Sequence, residues 1–243
     1  MSGHSKWSTI KRKKGANDAQ RAKIFTKIAR EIIVAVKAGG PDPDNNSSLK
    51  DAIAKARSNN MPNDNINRTI KKAAGDTDGD NYESITYEGY GPAGVAVIVN
   101  ALTDNRNRTA ADVRHAFDKN GGNMGQTGCV SFMFDQKGII IIENEDMDED
   151  EITMDALEAG ADDIEVEDGV AEIVTDPSDM GAVRDALAEK YTISSAEVSM
   201  VPQTMTELTE EGQINAMTKL LDMLEDNDDV QDVYHNWDMP SED

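Results

Sequence analysis

The hydrophobic pattern changes period at a short Gly/Asp linker, residues 76–80, and this change constrains the fold more than any other feature of the chain. Before the linker, apolar residues recur at helical spacing, as in Ile24, Ile28, Ile32 and Val36. After it, short extended runs rich in β-branched residues alternate with helical runs. The sequence therefore predicts an α+β protein in which an all-helical first part precedes sheet-containing domains.

The first 75 residues contain three short amphipathic patterns, which predict a small three-helix bundle. Capping residues, proline and glycine stand at their ends, where each favours a helix start or stop. The first helix is predicted to start after Asn17 or Asp18 and to stop at Gly39-Gly40-Pro41. The second starts after Ser47 or Ser48 and ends near Asn59-Asn60, and the third starts at Pro62-Asn63 and stops at Gly75.

Residues 135–205 have a regular rhythm of strand, helix, two strands, helix and strand, which is the order of a ferredoxin-like split βαβ domain. The predicted elements are Gly138–Glu143, Asp150–Ala159, Ile164–Glu167, Val170–Val174, Asp179–Lys190 and Ala196–Val201.

The segments on either side of this domain are predicted to form one discontinuous α/β domain. A helix and a strand at the end of the chain cannot bury their own apolar faces, so we expect them to complete the domain that begins near Tyr82. The expected domains are 1–75, 82–134 with 206–240, and the insert 135–205. The first helix of the discontinuous domain is predicted to run through Phe117, with Thr109 and Asp112 as a start that resembles a capping box. The other predicted elements are strands Ser84–Tyr87, Val95–Leu102, Val130–Phe134 and Val230–Trp237, and helix Glu210–Leu224.

Charge is divided unevenly along the chain. Residues 1–75 carry 16 Lys and Arg against 6 Asp and Glu, a net charge of +10. Residues 76–243 carry 8 against 41, a net charge of −33, so the whole chain has a formal charge of −23. A basic module on an acidic chain favours a local contact with an anionic partner. Adaptation to a salty cytoplasm is the other explanation for the acidic body.

Three groups of residues are candidates for nucleic-acid binding. A basic arm can follow a phosphate backbone, and its Trp7 can stack on bases. Three cations of the third helix share one helical face, which is either a phosphate contact or a solvated surface. Two arginines in an acidic region either contact an anion or pair with Asp104 or Asp112. The candidates are Lys6, Trp7, Lys11, Arg12, Lys13, Lys14, Arg68, Lys71, Lys72, Arg106 and Arg108.

Other motifs predict no catalytic residue, no metal site, no cofactor and no small-molecule substrate. The pattern Gly89-x-Gly91-x-x-Gly94 precedes a strand and contains a proline, so it indicates a hairpin turn rather than a dinucleotide site. The acidic runs lack the glycine position of a calcium-binding loop, and the three histidines lack neighbours at metal-ligand spacing. With one cysteine, no apolar signal segment and no run long enough for a membrane span, the chain is expected to be cytoplasmic.

Characteristic stretches occur along much of the chain: Ser2–Trp7, Gly39–Pro43, Asn60–Pro62, Asp64–Ile66, Ile70–Ala73, Tyr87–Pro92 and Thr103–Thr109. Together they resemble the YebC family, which includes the PmpR-type regulators and the mitochondrial translational activators of cytochrome c oxidase. The chain departs from the family pattern at two places. Cys129 takes the place of a usual serine, and Asn45-Asn46-Ser47-Ser48 stands in the region where the family usually has an alanine and a basic residue.

The resemblance implies a helical N-terminal bundle and two α/β domains, with the last inserted into the middle one. It also implies a non-enzymatic regulator of gene expression that binds nucleic acid, which we expect to be DNA. Two alternatives remain open. One is a ribosome-associated translation factor that contacts ribosomal RNA and relieves stalling, for example at proline runs. The other is a protein–protein adaptor that docks a basic partner on its acidic insert.

Overall fold

The structure, a computed structural model, describes residues 18–75 and 81–239. It confirms the predicted fold class, because a helical bundle precedes two units built from antiparallel sheets. The bundle consists of α1 (Asp18–Gly39), α2 (Ser47–Ser58) and α3 (Asn63–Gly75). Its apolar core is drawn from all three helices, with Ile32, Leu49 and Ile66 buried at its centre.

The cap of α2 differs from the prediction. Neither Ser47 nor Ser48 caps the helix; the Asn46 side chain accepts a hydrogen bond from the Leu49 N–H at 3.1 Å. The same amide donates to the backbone carbonyls of Ala35 and Gly40, each at 2.8 Å. Asn46 is therefore buried, and its side chain links the end of α1 to the start of α2.

The middle domain is built on a four-stranded antiparallel sheet. Its strands are β1 (Glu83–Tyr90), β2 (Ala96–Thr103), β3 (Asn123–Met124) and β9 (Val230–His235), in the order β3-β1-β2-β9. Strand β9 pairs with β2, so the end of the chain does return to the sheet that begins near Tyr82. Helices α4 (Arg106–Lys119) and α7 (Glu211–Asp226) cover one face through residues such as Phe117 and Leu220.

Two local predictions in this domain are wrong. Helix α4 begins at Arg106, because the Asn105 side chain caps it by accepting from the Arg108 N–H at 3.1 Å, and Thr109 lies inside the helix. The predicted strand Val130–Phe134 is a 3-10 turn (Ser131–Met133) that leads into the next strand. Distant residues contact both segments: the Thr109 hydroxyl donates to Asp229, and the N–H groups of Val130 and Ser131 donate to Glu88. A local sequence pattern does not contain these contacts.

The inserted unit has the predicted ferredoxin-like topology. Its strands are β4 (Phe134–Glu143), β5 (Asp163–Glu167), β6 (Val170–Thr175) and β7 (Ile193–Pro202), all antiparallel in the order β5-β6-β4-β7. Helices α5 (Glu149–Ala159) and α6 (Met180–Leu187) pack on one face of the sheet. A short parallel pair joins β8 (Thr206–Glu207), which follows the insert, to β10 (Trp237–Asp238), which follows β9.

Our proposal for the domain boundaries remains 1–75, 82–134 with 206–240, and 135–205.

Among the helices of residues 18–75 and 81–239, none combines the length and apolar character needed to cross a membrane.

Candidate nucleic-acid interface

The three candidate cations of α3 lie on its exposed surface. Arg68, Lys71 and Lys72 are all exposed, while Ile66 on the opposite side of the helix is buried in the bundle. Lys72 lies in the last turn, where the helix dipole favours a cation. None of the three makes an ion pair with another residue of the described ranges, so their charges remain available to a ligand.

Arg57, at the end of α2, lies next to this surface and was missed by the sequence reasoning. Its side chain is exposed, and it lines a groove together with Lys71. The two cations are far apart in sequence, so only the packing of α3 against the rest of the bundle brings them together. The described candidate face therefore consists of Arg57, Arg68, Lys71 and Lys72.

The cations of α1 have a different role. This helix contains Arg21, Lys23, Lys27 and Arg30. The last three of these bind the middle domain. Lys23 Nζ lies 2.8 Å from Asp226 Oδ1, and Lys27 donates to the Glu225 carbonyl at 2.7 Å. Arg30 donates to the Asp228 carbonyl at 2.6 Å and stacks on the Tyr82 ring with its guanidinium carbon 5.3 Å from the centroid.

Arg108 forms ion pairs with other residues of this chain, which favours structural pairing over contact with an external anion. Its guanidinium donates to Asp104 at 2.8 Å and to Asp229 at 2.7 Å. The pairing to Asp104 matches one predicted partner, whereas Asp229 was not foreseen. These carboxylates hold the pKa of Arg108 above its ordinary value. The side chain is still 46% exposed, so one edge of the guanidinium faces solvent.

Asp229 is a buried junction between the bundle and the middle domain. It is 3% exposed, and it accepts hydrogen bonds from Arg30, Arg108, Thr103 and Thr109. Burial raises the pKa of the Asp229 carboxyl, but the donors of Arg108, Thr109 and Arg30 outweigh burial and lower it. The carboxylate is therefore charged at neutral pH. The Thr109 hydroxyl donates a hydrogen bond to it and does not cap the helix.

Arg106 occupies the first turn of α4 and is exposed. Its guanidinium makes no ion pair within residues 18–75 and 81–239. Burial raises the pKa of Tyr87, and the nearby charge of Arg106 lowers it by less. The helix was predicted to start at Thr109, after Arg106, so this prediction is corrected: Arg106 lies within the helix. Of the two loop arginines, Arg106 is the one left to contact an external anion.

A second interdomain cluster surrounds Lys55 of α2. Its Nζ lies 2.8 Å from Glu31, 3.9 Å from Glu197 of the insert and 3.8 Å from Asp232 of β9. Burial lowers the pKa of Lys55, but Asp232, Glu31 and Glu197 outweigh it and hold the pKa above its ordinary value. All three domains meet at this lysine, which no pattern in the sequence distinguishes.

The remaining candidates, Lys6, Trp7, Lys11, Arg12, Lys13 and Lys14, lie outside the described residues. They remain predictions from the sequence alone.

The glycine-rich loop is a hairpin turn, as predicted. It joins β1 to β2 through a 3-10 turn (Pro92–Gly94), in which Gly94 has a φ of +82°. A Cβ on Gly91 would lie 2.8 Å from the Met217 sulfur, so close packing explains that glycine. Within the described part of the chain, no group of three His, Cys, Asp or Glu side chains is arranged to hold a metal.

Glu88, which directly precedes the glycine-rich loop, has a structural role. It is 2% exposed, and its carboxylate accepts the backbone N–H groups of Gly128, Val130 and Ser131, each at 2.8 Å. Burial raises the pKa of Glu88, but these donors outweigh burial and lower it. The carboxylate thus shapes the loop that leads from the middle domain into the insert.

Proteins named "Probable transcriptional regulatory protein" are similar to this chain over nearly its full length. The one from Acetivibrio thermocellus is 62% identical over 98% of this chain and 99% of its own length. The one from Ruminiclostridium cellulolyticum is 60% identical over 100% of this chain and 98% of its own. A crystal structure of a conserved hypothetical protein from Aquifex aeolicus is 44% identical, with a TM-score of 0.84 over 93% of each chain.

Two family models also match. "TACO1/YebC protein N-terminal domain" matches residues 5–76, and "TACO1/YebC second and third domain" matches residues 82–237. The chain therefore belongs to the TACO1/YebC family, which confirms the resemblance seen in the sequence.

Proposed function

We propose that this protein is a non-enzymatic regulator of gene expression that binds DNA through the exposed cations of its N-terminal bundle. One observation carries the proposal. The cations of the described bundle fall into two sets. Lys23, Arg30 and Lys55 lie close to carboxylates of the other domains. The cations of the candidate face, on α3 and at the end of α2, form no ion pair with a described residue.

The charge distribution supports this assignment. The four cations of the face can each contact a phosphate, and counterions released from the backbone would drive the association. Carboxylates of the acidic body repel phosphates within roughly 8 Å at physiological salt, which would orient the nucleic acid on the basic side. The names of the relatives, transcriptional regulatory proteins, agree with DNA as the target. In this proposal, the basic arm (Lys6, Lys11, Arg12, Lys13 and Lys14) with Trp7, and the exposed Arg106, extend the same interface.

The salt dependence of binding tests the proposal. With about five phosphates neutralised, the logarithm of the association constant for a DNA duplex should fall with the logarithm of salt concentration at a slope of about −4 to −5. A slope near zero would reject phosphate contact as the basis of binding.

The source of the phosphates can be identified in cell lysate. Sedimentation of the protein with ribosomes at low salt, lost at moderate salt, would assign the face to ribosomal RNA and translation. Recovery in the light fractions at both salts supports DNA as the target.

The insert carries a feature that favours a second candidate function, docking of a basic protein. Met154 and Leu157 of α5 are 59% and 50% exposed. They lie one turn apart and are flanked by Glu151 and Glu158, a pattern that matches a basic amphipathic segment. A Met154→Glu/Leu157→Glu variant should lose such a partner and keep nucleic-acid binding.

A further inference from the structure

A groove of about 470 Å³ opens on the N-terminal bundle, within the size range of small-ligand sites, roughly 300–1,000 Å³. Its floor is apolar and contains Ile53, Ile66 and Ile70. Ile53 and Ile66 are core residues of the bundle, so the floor is fixed by the packing of α2 and α3.

The α3 side of the groove is polar. Asn63, Asn67 and Lys71 recur every four residues, so they form one stripe along the helix, and all three line the groove. Within the described residues, the side-chain amides of Asn63 and Asn67 make no hydrogen bond. Arg57 lines the groove from α2. The groove thus combines an apolar floor, amide groups and two cations.

The remaining wall is the loop between α1 and α2, which contributes Pro41 and Pro43. Asp42 of this loop accepts the Asp44 N–H at 3.1 Å and the Asn45 amide at 2.7 Å. Its carboxylate is therefore engaged by its own loop and does not line the groove. These bonds, together with the hydrogen bonds of the Asn46 side chain, keep the wall in place without a ligand.

We infer that this groove receives one unstacked base of a single-stranded nucleic acid, while Arg57 and Lys71 contact the flanking phosphates. This inference rests on the proposed function and specifies the form of nucleic acid at the same face. An apolar floor stabilises the face of a base by removing it from water. Asparagine amides can donate to and accept from a base edge.

The geometry selects a single strand over a duplex. In a duplex each base is stacked on both faces, and its pairing edge is occupied, so a base enters a concave site only after it leaves the helix. Phosphates alone would need the cations but neither the apolar floor nor the amides. The arrangement therefore predicts a base-dependent part of the affinity in addition to the salt-dependent part.

The test compares three probes of equal length with the full-length protein: a single strand, the same strand with its bases replaced by abasic sites, and a duplex. Fluorescence anisotropy at one fixed salt concentration gives each dissociation constant. The single strand should bind about tenfold more tightly than the abasic strand, since the base adds hydrogen bonds and apolar burial.

Two variants assign that difference to the groove. Asn67→Ala should reduce the preference for bases about three- to tenfold, as expected for a lost amide contact, and should leave the salt slope unchanged. Asn65→Ala, on the same helix but outside the groove lining, is the matched control and should keep the preference. Alanine favours the helix more than asparagine does, so both variants should fold, which circular dichroism would check.

The outcomes separate this inference from the proposed function. Equal, salt-dependent binding of the abasic and normal strands would overturn the base site and leave phosphate binding intact. Duplex binding as tight as that of the single strand would also overturn it. Failure of all three probes to bind would reject the proposed function, and the base site would be rejected with it.

Discussion

The Arg30 guanidinium lies 2.8 Å from one oxygen of Asp229, although the two residues are separated by almost the whole chain. The other oxygen of Asp229 accepts from Arg108 and Thr109 of the middle domain. One buried carboxylate therefore connects α1 of the bundle to the start of α4. Together with the contacts of Lys23 and Lys27, it removes three cations of α1 from the open basic face.

Replacing Asp229 should destabilise the protein strongly. Asp229→Ala leaves Arg30 and Arg108 without their shared partner, so the free energy of unfolding should fall by about 3 kcal/mol or more. Asp226→Ala is the matched control, because Asp226 also pairs with a cation of α1 but is 72% exposed. It should cost less than about 1 kcal/mol. Urea denaturation measures both, and equal losses would contradict the assigned role of Asp229.

Acid sensitivity should depend in part on Glu88. Its folded-state pKa lies below the ordinary 4.5, so the unfolded chain binds more protons as the pH falls below that value. The stabilisation from Glu88 is thus complete above about pH 4.5 and is lost as the pH falls through the folded pKa.

Glu88→Gln should cost about 2 to 3 kcal/mol at pH 7, because a charged acceptor of three N–H groups is lost. Its free energy of unfolding should also vary less with pH than that of the wild type below about pH 4.5. Asp229 titrates in the same direction in both proteins, so the difference isolates Glu88. Parallel acid profiles would contradict this prediction.

Lys55 should matter more than Lys50, although both lie on α2 and both pair with the insert. Lys55→Met leaves Glu31, Glu197 and Asp232 close together without their cation, so we expect a loss of about 2 to 4 kcal/mol. Lys50→Met removes a pair to Asp185 in which both side chains are about half exposed, and should cost less than about 1 kcal/mol. Thermal unfolding at neutral pH compares them; equal shifts in Tm would show that the Lys55 cluster is not a junction.

Reversing the charges of the α3 face should abolish binding to DNA. The triple variant Arg68→Glu, Lys71→Glu and Lys72→Glu removes the three proposed phosphate contacts and adds repulsion, so affinity should drop by at least about 100-fold at moderate salt. The matched control reverses the exposed Arg114, Lys119 and Lys219 of the middle domain, with the same change in net charge. The control should bind nearly as well as the wild type in a gel shift. If the α3 variant still binds, the basic arm or Arg106 carries the contact.

Local periodicity was sufficient to predict the architecture. Ile28, Ile32 and Val36 repeat at helical spacing, and they are buried in α1 because a helix places them on one face. The order of strands and helices from Gly138 onward predicted the ferredoxin-like insert, and the unburied faces of the last helix and strand predicted their return to the middle sheet. These inferences depend on each element having one apolar face, which the sequence contains.

The partners of charged and capping residues could not be predicted in the same way. Arg68 and Arg30 look equivalent in the sequence, yet one is exposed on α3 and the other binds Asp229. Thr109 fits a capping box, but its hydroxyl donates to the distant carboxylate of Asp229. The Asn105 side chain caps the helix instead. Such choices depend on distances between residues far apart in the chain.

The sequence by itself determined the three-domain fold, the family and the concentration of positive charge at the beginning of the chain, because periodicity and composition are local properties. The tertiary structure alone decided which cations remain open. Packing of the bundle against the middle domain directs Lys23, Lys27 and Arg30 to carboxylates and carbonyls, and packing of α3 within the bundle places Arg57 and Lys71 around one groove. Because an ion pair forms only where folding brings two charges within a few ångströms of each other, the candidate interface is a property of the folded chain.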